Sequence, residues 1–164
     1  MDASKEQKSG KPPRLSYVEM VQQVLPGDTN PHGTVFGGKV MQWIDIAGAV
    51  AAMRHVQGPV VTASFDRVDF HAPARVGHVM VLKAQVNFTG RTSIEVGVEV
   101  HAENPMTGQR VLTTDALVTY VAVNQAGHPV EAPSVTPETT EERRRYKEGE
   151  GRRKARLQER KNKG

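Results

Sequence analysis

The 164-residue sequence contains no cysteine, which excludes disulfides, thiolate metal sites and a cysteine nucleophile together and fits an intracellular protein. It also lacks any apolar stretch near the roughly 18 to 20 residues of a membrane span. The opening stretch, Met1 to Pro13, is polar and has no hydrophobic signal core, so a soluble, cytoplasmic protein is expected. Six histidines are scattered along the chain without a pair at the spacing of a helical metal site, so no bound metal is expected. No internal repeat is visible, and no composition shift in the middle divides the chain into two domains.

What is present in excess is positive charge, and its distribution matters more than its sum of +4. Residues 1–13 carry +1, residues 14–134 carry −2, and residues 135–164, with eleven basic and six acidic side chains, carry +5. A nucleic-acid fold would present Lys and Arg on its folded body. An acidic body with a basic appendage is a poor match to that arrangement, and no nucleic-acid partner is expected. Three segments follow: a disordered N-terminal tail over 1–13, one globular domain over 14–134, and a charged C-terminal tail over 135–164, helical or disordered. Apart from Tyr146 and Leu157 that tail has almost no apolar stripe, so a solubilising role is preferred to a partner-binding arm. A further use for it is to draw an anionic partner toward the body, an effect that would fade with salt.

Within the body, Val18, Met20 and Val24 share one parity and indicate a strand over 15–25, closed by Pro26-Gly27-Asp28. Residues 37–54 place Val40, Met41, Ile44, Ala47, Val50 and Ala51 at helical steps of three and four. Small residues crowd the second half of this helix, so it is expected to be largely enclosed. Four β-branched stretches follow at 60–70, 79–89, 93–103 and 111–123, joined by short turn-forming clusters that imply antiparallel pairing. The fold class is α+β: one long central helix covered by a curved antiparallel sheet.

The chemistry is concentrated between Asn30 and Asp45. Asp45 sits at the edge of the apolar helix face, where an ionised carboxylate carries a large desolvation cost unless its charge is used or paired. Gly37 and Gly38 open the helix, where free amides and the positive end of the macrodipole stabilise an oxygen gaining negative charge. Asn30 supplies an uncharged amide suited to a carbonyl or a water. A boundary salt bridge, a tight glycine turn and a turn asparagine before Pro31 are the ordinary readings of the same residues taken singly.

Asn30-x-x-Gly33-x-x-Phe36-Gly37-Gly38 with Asp45 in the next helix resembles the signature of hotdog-fold acyl-CoA thioesterases, specifically the cytosolic acyl-CoA hydrolase branch. Later segments of about residues 15–125 are similar in order: Val60-Val61-Thr62, Val68-Asp69-Phe70, Gly90-Arg91-Thr92-Ser93 and Thr113-Thr114-Asp115-Ala116. The resemblance implies a hotdog fold whose sheets join edge to edge in a homodimer, commonly three such dimers in a hexamer. Asn30 of one subunit would then face Asp45 of the other. It implies an acyl-CoA hydrolase that releases free fatty acid and coenzyme A and needs no cofactor, coenzyme A being part of the substrate. Asp45 would serve as general base or as nucleophile, with Gly37 and Gly38 holding the carbonyl. Arg91, Thr92 and Ser93 would meet the nucleotide of CoA, and Val68, Asp69 and Phe70 would line the pantetheine channel. Two alternatives attach to the same fold: a hydroxyacyl thioester dehydratase using His32, and a non-catalytic acyl-CoA sensor.

Overall fold

The protein, represented by a computed structural model, is described over residues 9–164. A 3-10 turn, Pro13–Ser16, leads into β1, Val18–Gln23. After a second short turn at Pro26–Asp28 comes the long helix α1, Gly37–Val56, followed by β2 (Val60–Phe70), β3 (Val79–Thr89), β4 (Ser93–Glu103), β5 (Arg110–Ala122) and a second helix, α2, Thr140–Asn162. All strand pairs are antiparallel, in the order β1-β3-β4-β5-β2. β1 and β2 are therefore the two edges.

The pleat explains the core. Alternate residues of β3, β4 and β5 (Leu82, Ala84 and Val86; Ile94, Val96, Val98 and Val100; Ala116, Val118 and Tyr120) are buried against Val40, Trp43, Ile44, Ala47, Ala51 and Ala52 of α1. Each fully buried branched side chain contributes about 1.5–3 kcal/mol, and the alanines and Gly48 let the sheet close down on the helix. This is the hotdog arrangement expected from the resemblance. α1 runs two residues beyond its expected end. Gln57 then stops it in the left-handed conformation (φ 53°), its N–H donating to the Met53 carbonyl at 2.7 Å.

Other boundaries also differ from expectation. The first strand is shorter than 15–25, because Pro12 and Pro13 set a helical turn before it. β5 begins one residue earlier, at Arg110, which pairs with Glu103 across the hairpin. The N-terminal tail is only partly testable, since residues 1–8 lie outside the described residues. Residues 9–13 do not stand apart: the Lys11 N–H donates to the Ser134 carbonyl and its carbonyl accepts from the Thr136 N–H, both at 2.9 Å.

The C-terminal segment takes the helical form of the two expected for it. It forms α2, started by a capping box in which Thr139 and Glu142 exchange hydrogen bonds. The helix docks on the outer face of the sheet. Tyr146 meets Phe88 edge to face at 5.1 Å, and a side chain at Gly149 would begin 2.8 Å from Phe88 Cβ, so only glycine permits that approach. Arg152 then grips Glu95, which is 2% exposed, through Nε–Oε2 at 3.0 Å and Nη2–Oε1 at 2.6 Å. Positions 146, 149, 152, 153 and 156 recur at helical steps of three and four, so this is one contact face. It consists of Tyr, Gly and Arg, which an apolar periodicity cannot register.

Candidate active site

Asp45 lies midway along α1 on the side facing β2 and β5. Its Oδ1 accepts a hydrogen bond from the Thr62 hydroxyl at 2.8 Å, and the Tyr120 hydroxyl reaches its main-chain oxygen at 3.0 Å and Oδ1 at 3.2 Å. The carboxylate is half-buried and has no cationic partner among the described residues. It is therefore not the salt-bridged boundary aspartate of the ordinary reading. Both hydroxyls converge on one oxygen, so Oδ2 carries no donor among the described residues. Burial, reinforced by the neighbouring carboxylate, drives the Tyr120 hydroxyl pKa far above its ordinary range. Tyr120 is a permanently protonated donor.

Neither Thr62 nor Tyr120 was among the expected site residues. Thr62 reads as an ordinary β-branched strand residue, and Tyr120 as a core aromatic. Their roles arise from the β2–β5 register, which places Thr62 opposite Tyr120 and so directs two hydroxyls at one position on α1.

At the start of α1, Phe36 is the N-cap and contributes no side-chain cap. Among the described residues, the amides of Gly37 and Gly38 have no acceptor, as an oxyanion site requires. Phe70 stands over this end: a Cβ at Gly37 would touch its ring at 3.6 Å. Gly37, Val40, Phe70, Pro73, Met80 and Thr114 are among the residues lining a mostly apolar cleft of about 360 Å³.

Asn30 is committed to its own turn. Its Oδ1 accepts from the N–H groups of His32 (2.9 Å) and Thr34 (3.2 Å), and its Nδ2 donates to Thr34 Oγ1 at 2.8 Å. One amide hydrogen is left over. His32 is exposed. Asn30 makes no contact with Asp45 of the same chain. Gly37 and Gly38 precede Asp45 by eight and seven residues of one helix, about 10–12 Å along its axis.

The other expected residues separate by the pleat. Val68 packs against the core. Asp69 is paired with Arg67, which also reaches Asp115 at 3.3 Å; Asp69, and secondarily Asp115, raise the Arg67 pKa. Phe70 alone of these three lines the apolar cleft. Thr92 and Ser93 line a second cleft, of about 250 Å³, beneath α2, whereas Arg91 is exposed and does not.

A profile of the thioesterase superfamily matches residues 32–109. An acyl-CoA thioester hydrolase of Bacillus subtilis, YkhA, described as uncharacterized, is 43% identical over 127 residues, 77% of this chain and 74% of that protein. Among solved structures, an apo-hexameric acyl-CoA thioesterase superposes with a TM-score of 0.88 at 45% identity, covering 92% of this chain and 97% of the other. The Staphylococcus aureus acyl-CoA hydrolase in complex with butyryl coenzyme A, coenzyme A and coenzyme A disulfide gives 0.83 at 36% identity, covering 93% and 95%. With its five-stranded antiparallel sheet around one central helix, this chain belongs to the thioesterase superfamily and has its hotdog fold.

Proposed function

We propose that this protein hydrolyses acyl-CoA thioesters, with Asp45 as the general base. The observation that carries this reading is the pair of hydroxyls from Thr62 and Tyr120 on Asp45 Oδ1, which leaves Oδ2 open to orient and deprotonate a water. The water attacks the thioester carbonyl. As the carbonyl oxygen becomes negative it is held by the amides of Gly37 and Gly38; the C–S bond then breaks and the CoA thiolate leaves with a proton. The acyl chain occupies the apolar cleft under Phe70.

The helix rise supports a homodimer as the working unit. Asp45 and the glycine amides of one chain are about 10–12 Å apart along α1, too far to act on one carbonyl. A second copy supplies the missing half, and β2 provides the means, because it is an edge strand with Val61, 49% exposed, and Phe70, 52% exposed. Joining two β2 edges would bring Asn30, with its spare amide hydrogen, toward the Asp45 carboxylate of the other subunit. The hexameric state of the structural relative supports a trimer of such dimers. The cysteine-free composition supports a cytoplasmic location, and the chemistry requires no cofactor.

Asp45→Asn tests the reading. In a thiol-release assay over acyl-CoAs of several chain lengths, turnover is expected to fall about 10²–10⁴-fold, with subunit assembly and thermal unfolding unchanged. Full turnover by this variant removes Asp45 from the chemistry. Release of CoA, rather than formation of enoyl-CoA from hydroxyacyl-CoA, separates hydrolysis from dehydration, and any turnover separates an enzyme from a sensor.

A further inference from the structure

The basic end of α2 has no role in the mechanism above, and its arginines are unevenly paired. In the first half of the helix, Arg144 is bound by Glu141 and Glu148, and Arg145 by Glu141 at 3.0 Å. These arginines hold the Glu141 pKa at about 2. In the second half, Arg153 and Arg160 have no carboxylate partner among the described residues. Arg156 lies 4.0 Å from Asp66 Oδ2, but that carboxylate is already occupied by the Ser64 and Thr119 hydroxyls. Three like charges at spacings of three and four repel one another.

The helix nevertheless turns these three toward the protein. With the hydroxyl-bearing residues Ser64, Thr92 and Ser93 they line the cleft of about 250 Å³ beneath α2. Gly90 shows how closely the helix approaches: a Cβ there would lie 2.3 Å from Arg153 Nε and 2.7 Å from Ser93 Oγ. The guanidinium rests on the bare backbone of the turn. Lys154 and Lys161 of the same helix do not line the cleft.

We infer that this cleft binds the phosphate-bearing end of the CoA thioester, with Arg153, Arg156 and Arg160 in the place expected of Arg91. The inference rests on the acyl-CoA hydrolase reading. Guanidinium groups offer paired N–H donors that match phosphate oxygens, and a bound anion removes the repulsion among the three arginines. Thr92 and Ser93 add hydroxyl donors. The two sites lie on opposite faces of the sheet, because a bulge in β2 sets Thr62 opposite the inward Tyr120 and Ser64 opposite the outward Thr119, so one substrate spans both by passing around the β2 edge. The basic segment is thus a built part of the substrate site, held by Arg152–Glu95 and Gly149, and not a loose electrostatic lure.

The test compares wild type with R153Q/R156Q/R160Q, the single variants Arg153→Gln and Arg160→Gln, and a charge-matched control, K154Q/K161Q/K163Q. Substrates are an acyl-CoA and the matching acyl-pantetheine, which lacks the phosphates. Expected is a fall of about 10–100-fold in the preference for acyl-CoA, expressed in KM, smaller falls for the single variants, and wild-type preference for the control. Titration with adenosine 3′,5′-bisphosphate should show binding to wild type and its loss in the triple variant. An unchanged preference, or an equal change in the control, overturns the inference while leaving hydrolysis intact. If wild type hydrolyses neither substrate, the acyl-CoA reading falls instead. Adenosine 3′,5′-bisphosphate binding that the triple variant abolishes would then still support a phosphate site, and no such binding would overturn it.

Discussion

The hydroxyl of Tyr120 sits 3.0 Å from the main-chain oxygen and 3.2 Å from Oδ1 of Asp45, and it fits there because position 48, one turn along α1, is glycine. A Cβ at Gly48 would lie 2.3 Å from that hydroxyl and 3.1 Å from ring carbon Cζ. A buried sheet residue thus holds a helix carboxylate through a gap that only glycine leaves open.

Gly48→Ala is expected to destabilise the protein although alanine is the better helix former by about 1 kcal/mol. Overpacking against Tyr120 costs about 1–3 kcal/mol, and turnover should fall as the hydroxyl is pushed from Asp45. Adding Tyr120→Phe removes the closest clash, so denaturant unfolding should recover part of the loss in the double variant. Additive losses would show that the two residues are not coupled.

Removing one donor from Asp45 at a time separates positioning from catalysis. Thr62→Val and Tyr120→Phe are each expected to lower kcat about tenfold, the worth of one hydrogen bond, far less than the Asp45→Asn loss. The loss should fall on kcat with KM little changed, because each hydroxyl orients the carboxylate and not the substrate. An unchanged kcat in both variants would assign these hydroxyls a purely structural role.

Arg152→Ala is expected to loosen α2. Glu95 would be left 2% exposed with Asn87 as its only polar partner among the described residues. Orphaning a buried charge costs about 3–5 kcal/mol, and the lower end applies because 32% of the Arg152 side chain is in solvent. Glu95→Gln should cost less. Hydrogen exchange of residues 140–162 reads the effect directly: unchanged protection in Arg152→Ala would mean that Tyr146 and Gly149 alone dock the helix.

His55 supplies a pH dependence. The ring is fully buried, Nε2 lies 2.8 Å from the Pro133 carbonyl and so donates its proton there, and Nδ1 has no partner among the described residues. Burial lowers its pKa below the ordinary 6.5. The unfolded chain therefore binds this proton more readily than the folded one, and its contribution is complete above about pH 6.5 and lost as pH falls below it. Urea midpoints measured between pH 8 and 5 should decline over the lower half of the range, and less steeply in His55→Gln.

The strand stretches at 60–70, 79–89 and 93–103 and the start of α1 could be read from the sequence because their signals are local: β-branched runs, turn clusters and a helical apolar stripe. Asp45 stood out for the same reason, as a charge in an apolar setting. Its partners Thr62 and Tyr120 were not readable, since 17 and 75 residues separate them from it and only strand register brings them together.

Sequence alone determined the α+β class, the long enclosed helix, the acid on its edge and the glycine pair at its start, because periodicity and residue chemistry act over a few positions. Tertiary structure alone decided which hydroxyls grip that acid and that a polar C-terminal segment lies on the sheet. Those relationships depend on pleat, register and close approach at Gly48, Gly90 and Gly149, distances that no local pattern encodes.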